Sequence, residues 1–275
     1  MKHRSTTGMT LQIAITALTV AFLIVPAVMS MMAGITENYF RGIRSGVTLD
    51  WIVEVWGLYS GTIWLSMLIA LSTLAVTLVI GVPAAYALHR HPSRLSRLVE
   101  EIITLPVAIP GLAIALALLI AYGGFGSFRT SWLFILVGHV LYTLPFMVRS
   151  VMAVLAAIDA RTLEEGAASL GASPWRRFRD IIIPNIGPGI LAGSLMVVTL
   201  SVGEFNLTWM LHTPLTKTLP VGLADSYASM RLEVASAYTL VFFVMIIPLL
   251  VAMQIFGQMG TRGPAGAGDT RGKKK

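Results

Sequence analysis

Asp159–Pro184, DARTLEEGAASLGASPWRRFRDIIIP, is the stretch that decides the fold of this chain. It is polar-rich, lies between two strongly apolar segments, and is nevertheless patterned. Thr162 is expected to cap a helix over Leu163–Leu170, with Glu165 reaching back to the Thr162 amide in a capping box. Gly171 suits the left-handed residue that ends a helix. Ser173 and Pro174 supply a capping hydroxyl and a first-turn proline, which restart one. Trp175, Phe178 and Ile182 fall at i, i+3 and i+7, one apolar stripe. Arg176, Arg177 and Arg179 lie off that stripe. The stretch predicts two short helices bent at Gly171, a docking element rather than a passive connection.

What flanks it is membrane. The chain has 275 residues, 56% hydrophobic and 12% charged, with a mean hydropathy of +0.79. Soluble domains carry about 25% charged residues, so this is an integral membrane protein. Cysteine is absent, which excludes a disulfide framework and a thiolate metal site. A span needs about 20 apolar residues. Six runs qualify, at 10–33, 60–88, 102–122, 131–156, 187–211 and 234–257. The first is too long for the roughly 7–15-residue core of a cleaved signal and is expected to be a retained signal anchor. Fifteen of the twenty lysines and arginines fall on one side when the N-terminus is placed in the cytoplasm. The positive-inside rule then puts both termini and Asp159–Pro184 inside. The expected organisation is a cytoplasmic N-terminus (1–9), a six-helix domain (10–257) with its loop at 159–184, and a disordered basic tail (258–275). Topology and anionic inner-leaflet lipid explain Lys273–Lys275 more simply than a nucleic-acid partner does. Trp51, Trp56 and Tyr59 in the external segment 34–59 suit an interfacial aromatic belt or a short amphipathic helix.

No catalytic constellation can be assembled. A phosphate-binding loop needs Gly-Lys before Ser or Thr; only Lys217 precedes Thr, and Thr216 stands before it. Gly-x-Ser-x-Gly and His-Glu-x-x-His are missing too, so neither a catalytic site nor a metal site is expected. Glu204, in LSVGEFNLTWM with Asn206 and Thr208 nearby, is the notable charge within a span. A carboxylate at depth is costly and should face a cavity, a partner or a pathway. It lines a solute route or it bonds a neighbouring helix. His139 in the fourth span is expected to serve helix packing. Pro106 and Pro110 interrupt the third span and free backbone carbonyls there, shaping a kink or a gate. Gly189 and Gly193 form a GxxxG that favours close helix packing.

Glu165-Gly166-Ala167, then Gly171, Ile181, Ile183 and Pro184 at the matching spacing, resemble the cytoplasmic EAA loop of permease subunits of binding-protein-dependent ABC importers. Gly166 departs from an Ala and Ile183 from a Leu. PFMVRSVMAVLAAID before the loop and GPGILAGSL after it are also similar to this family. The resemblance covers roughly 105–254. It implies an all-α membrane protein of six transmembrane helices, type I importer permease-like, in the bacterial inner membrane. It also implies a second permease subunit, a related chain or a copy of this one. An extracytoplasmic solute-binding protein and a cytoplasmic ABC ATPase dimer that holds the ATP and Mg complete the expected assembly. The loop then acts as a coupling helix. Glu165 and Gly171 would form the core of the dock together with Gly166, Ala167 and Pro184. Glu164, Arg176, Arg177 and Arg179 are rim candidates; Leu170, Trp175 and Phe178 are apolar anchors. Topology alone also accounts for the arginines. Gly203-Glu204-Phe205 and TKTLPVGLADS (216–226) resemble the branch that serves polyamines, ferric iron, phosphonates, sulfate and molybdate. Glu204 favours a cation such as spermidine, although branch members for anions are similar in this run. The competing expectation is a self-sufficient secondary transporter or channel.

Overall fold

The computed structural model describes residues 6–261. The basic residues Lys2, His3 and Arg4 lie outside the described residues, as does 262–275 of the tail expected to be disordered from 258; residues 258–261 are instead the end of a helix that runs from Leu232 to Thr261. Among the described residues the regular structure is helical, apart from a single Thr36–Val47 bridge. Four helices are long and apolar enough to cross a membrane, and six spans result if two bent pairs, Arg94–Ala108 with Gly111–Tyr122 and Pro174–Asn185 with Gly187–Gly203 (71°), each count as one.

Four spans follow the apolar runs. Helix α1 is Thr6–Ala33, α2 Asp50–Arg90, α5 Trp132–Ala157 and α11 Leu232–Thr261. The most apolar window of α1 is wholly exposed, as a helix facing lipid or another subunit is. Helix α2 begins ten residues before the expected span. Its 41 residues extend about 60 Å at 1.5 Å per residue, twice the hydrocarbon thickness.

The other two expected spans are broken. The run 102–122 is α3 (Arg94–Ala108) and α4 (Gly111–Tyr122), bent by 110°. Pro110 disfavours the helical region for the residue before it, and Ile109 is accordingly extended at φ −97, ψ 129. Pro106 itself sits inside α3. The run 187–211 is α8 (Gly187–Gly203) and α9 (Asn206–Leu211), parted at an extended Glu204. One further helix, α10 (Leu219–Ala228), lies where the sequence shows only a linking stretch.

The chain forms two compact units. The smaller holds the described residues up to Gly61 together with Gly222–Val244. In it the segment after α1 is tied down rather than loose. The Trp51 indole donates to the Thr36 carbonyl at 2.9 Å, and the Tyr39 amide donates to Glu233 Oε1 at 2.8 Å. Arg231 pairs with Glu54 and donates to the Tyr59 hydroxyl at 3.1 Å. Of the three expected belt aromatics, Trp51 and Tyr59 thus serve internal bonds, while Trp56 is exposed.

The larger unit, Thr62–Val221 with the residues from Met245, holds two apolar cores. One joins Val82 and Ala85 of α2, Met147–Leu155 of α5 and Ile182, Ile186 and Val197. The other joins Ile69, Ile114, Leu118, Phe134, Leu207 and Leu211. Helices α5 and α8 pack closely because two glycines allow it. A Cβ on Gly189 would stand 2.8 Å from the Ser150 carbonyl oxygen, and one on Gly193 2.8 Å from Met147 Sδ.

Candidate functional site

The loop 159–184 is two helices, α6 (Ala160–Ser169) and α7 (Pro174–Asn185). The expected capping box does not form. Asp159 is the cap: its carboxylate accepts the Thr162 amide at 3.2 Å and the Thr162 hydroxyl at 2.6 Å. Those bonds to Thr162 hold the Asp159 carboxyl below its ordinary range. A carboxylate with two oxygens satisfies more of the helix start than a hydroxyl can, so α6 begins three residues early. Glu165 turns outward to Arg161 at 2.8 Å instead of back to the cap. The expected helix stop and restart hold. Gly171 has φ +81, and Ser173 Oγ accepts the Arg176 amide at 3.4 Å ahead of Pro174.

Gly166 sits in α6 at an open surface position, where an added Cβ would meet no atom within 4 Å. Gly166→Ala is therefore expected to stabilise α6 by about 1 kcal/mol. Slower amide hydrogen exchange across 160–169, at unchanged complex assembly, is the measurement that checks it.

Helix α7 contains a wide, π-type turn over Arg177–Ile182. Pro184 has no N–H to donate back to the turn before it, so the ladder loosens there. The Asn185 side chain takes the Ile181 carbonyl at 2.7 Å. The apolar stripe consequently serves two surfaces. Ile182 is fully buried, and Phe178 packs on Tyr86 with ring centroids 4.9 Å apart. Trp175 stays 65% exposed and Leu170 89% exposed. Phe178 is half-buried: one side packs on the chain's own core, and its ring also meets the Trp175 ring at 5.9 Å.

Glu164 is corrected: it is no rim residue. It is buried, accepts the Tyr86 hydroxyl at 2.7 Å and pairs with Arg90 at 3.0 Å. It fastens α6 to the end of α2. Arg90, Arg161 and Arg177 join Glu164 and Glu165 around a cavity of about 350 Å³ beside this fastening. Of the expected docking residues the loop presents outward Glu165, Gly166, Leu170, Gly171, Trp175, Arg176 and Pro184, with Ala167 half-buried among them. Three large exposed apolar side chains, Leu163, Leu170 and Trp175, within a charged rim form a surface suited to a protein partner.

The second site lies where the two broken spans meet. A Cβ on Gly111, the first residue after the third-span break, would be 3.4 Å from Glu204 Oε1. Glu204 Oε1 accepts the Leu207 amide at 2.7 Å and so starts α9. Asn206 is exposed, whereas Thr208 is fully buried and bonded to His139. Of the three expected pathway residues, Glu204 and Asn206 stand at an open surface and Thr208 does not. Gly111 and His139 complete this site. The sequence flagged His139 as an intramembrane imidazole and the prolines at 106 and 110, but not Gly111 itself, nor that either residue meets Glu204's segment. Unwound backbone at membrane depth is tolerated where it is buried in protein or lines a water-filled cavity. Paired discontinuous helices are a recurrent way of building a solute site. Among the described residues no group of His, Asp and Glu is placed to hold a metal ion.

Broken spans and a two-helix loop with exposed apolar side chains fit a membrane permease subunit. The chain belongs to the family described as binding-protein-dependent transport system inner membrane component, which matches residues 77–259. In this family ATP hydrolysis resides on a separate ATPase subunit, and the chain is the multi-pass inner-membrane permease. A PhnV permease assigned to 2-aminoethylphosphonate transport in Salmonella typhimurium is 28% identical over 86% of this chain and 89% of its own length. The sulfate transport system permease CysW of Synechocystis is 26% identical, covering 88% and 91%. The molybdenum transport system permease ModB of Azotobacter vinelandii is 28% identical, covering 70% and 90%. A bacterial ABC transporter that imports the acidic polysaccharide alginate contains a chain of the same fold. It has a TM-score of 0.71 at 15% identity, over 91% of this chain and 95% of that one. The MetNI methionine transporter gives 0.60 at 19% identity, over 76% and 97%. The expected fold and family therefore hold.

Proposed function

We propose that this permease imports a small oxyanion or phosphonate. Its solute route would pass the paired breaks at Pro110–Gly111 and Gly203–Phe205, and loop 159–184 would dock on the ATPase. The observation that carries the solute class is the state of Glu204. Its Oε1 is already committed to the Leu207 amide, so the carboxylate acts as a helix cap and does not by itself call for a cationic cargo. Relatives named for phosphonate, sulfate and molybdate transport support an anion. A polyamine is the second reading, favoured by the half-exposed position of that same carboxylate.

For coupling, Leu170 and Trp175 are left without cover while Glu164, Ile182 and one side of Phe178 are spent on the chain's own packing. ATP and Mg are held by the ATPase in this proposal, and a second permease, related or identical, closes the pathway. Co-purification followed by mass measurement distinguishes the two.

The test is uptake by the purified complex, with its ATPase and binding protein, in proteoliposomes. Labelled 2-aminoethylphosphonate, sulfate, molybdate and spermidine are compared, with and without ATP. ATP-dependent uptake of one of the anions is expected. Uptake of spermidine alone would overturn the anion assignment. Glu204→Gln sharpens the choice, since a Gln carbonyl still accepts the Leu207 amide. For an anion, uptake should stay within about threefold. For a polyamine, losing a charged partner worth roughly 1.5–3 kcal/mol should raise KM by about tenfold or more.

A further inference from the structure

His139 joins the two sides of the fifth-span break. Its Nδ1 lies 2.8 Å from Ser201 Oγ, on α8 before the break, and its Nε2 lies 2.8 Å from Thr208 Oγ1, on α9 after it. The ring is 2% exposed and both hydroxyls are buried. The direction of each bond follows from counting protons. Thr208 Oγ1 also donates to the Glu204 carbonyl at 3.2 Å. A hydroxyl has one proton, so with that bond made Thr208 accepts from Nε2–H. A neutral imidazole then has only a lone pair left at Nδ1, and Ser201 donates to it. The result is a one-way chain from the Ser201 hydroxyl through the imidazole and Thr208 to the backbone carbonyl of Glu204.

Other contacts seat α9 but do not reach across the break. Gly138, beside His139, leaves room for Leu207 and Leu211, whose methyls would stand 2.6 and 2.8 Å from a Cβ there. The Arg129 guanidinium donates to the Leu211 carbonyl at 2.8 Å, at the far end of α9. Side-chain bonds from one residue to both halves come from His139.

We infer that His139 is a positioning residue for transport: it holds α8 and α9 at their present angle and so sets where Glu204 and Asn206 stand against the break at Gly111. This rests on the reading that the solute route passes these breaks, and the test separates the two. The chain has no cysteine, so Met196→Cys and Met210→Cys place two spin labels at exposed positions on either side of the break. Inter-label distances are measured by pulsed electron resonance in the assembled complex, and uptake is measured in parallel.

In His139→Leu the distance distribution is expected to shift and broaden, with uptake reduced on the order of tenfold. His139→Gln, which keeps a donor and an acceptor, should fall between it and the parent. Thr208→Val cuts the tie to α9 and Ser201→Ala the tie to α8; the imidazole can carry its proton on whichever nitrogen keeps a partner, so each variant should shift the distances, by less than His139→Leu. Thr208→Val also serves where His139→Leu fails to assemble. An unchanged distribution in both His139→Leu and Thr208→Val overturns the inference. A shifted distribution with parental uptake overturns its transport role and the pathway reading with it, while leaving His139 as the structural tie.

Discussion

Glu165→Arg is expected to remove most ATP-driven uptake while leaving the chain folded and inserted, whereas Glu164→Ala is expected to loosen the loop itself. The two carboxylates are adjacent in sequence and opposite in role. Glu165 makes one exposed pair with Arg161, with side-chain exposures of 66% and 88%. Such a solvent-screened i, i+4 pair contributes little, so its loss does not unfold α6. Reversing the charge on the surface that also carries Leu170 and Trp175 acts on the partner instead. A disrupted hot spot costs about 2 kcal/mol or more, on the order of thirtyfold in affinity for the ATPase.

Glu164 is held between Tyr86 and Arg90. Breaking a fully buried pair costs about 3–5 kcal/mol. Arg90 keeps 34% exposure, so water screens part of that loss and about 2 kcal/mol is expected. The measurements are co-purification with the ATPase, uptake, and hydrogen exchange over 159–184. Glu165→Arg should fail the first two with parental exchange; Glu164→Ala should show faster exchange. Parental uptake by Glu165→Arg would sink the docking role of this surface.

Gly189→Ala is the second large effect, expected to destabilise the α5–α8 packing by about 1–3 kcal/mol. The added methyl would meet the Ser150 carbonyl oxygen at 2.8 Å and the Val151 Cα at 3.2 Å. Both are backbone atoms of α5, which cannot step aside without moving the helix. Gly193→Ala is expected to cost less. Its nearest neighbour is Met147 Sδ at 2.8 Å, a flexible thioether, although the Met147 Cα at 3.2 Å limits the relief. Thermal inactivation of the purified complex, read as the temperature of half-loss, checks the order. Equal midpoints for the two variants would refute the argument from backbone contact.

The sequence was informative where a local rule operates alone. Gly171 follows from the left-handed cap, Ser173-Pro174 from helix restart, and the long spans from unbroken apolar runs. It misled where two local candidates competed. Asp159 and Thr162 are both able to cap α6, and the carboxylate prevails because it takes the Thr162 amide and hydroxyl together. The prolines at 106 and 110 announced an interruption but not which of them breaks the helix, since Pro106 is absorbed inside α3.

The family spacing across Glu165–Pro184 and the excess of inside arginines determined the class of this protein and the side of the membrane its loop occupies, because both are properties of order along the chain. Tertiary structure alone decided which loop residues are free. Periodicity put Trp175, Phe178 and Ile182 on one stripe, but the wide turn before Pro184 and the Tyr86 ring divide that stripe between core and surface. It alone also brought Gly111 and His139 to the segment that holds Glu204 and Thr208. These residues lie up to 97 positions apart in the chain, and only the packing of α9 against α4 and α5 makes them neighbours.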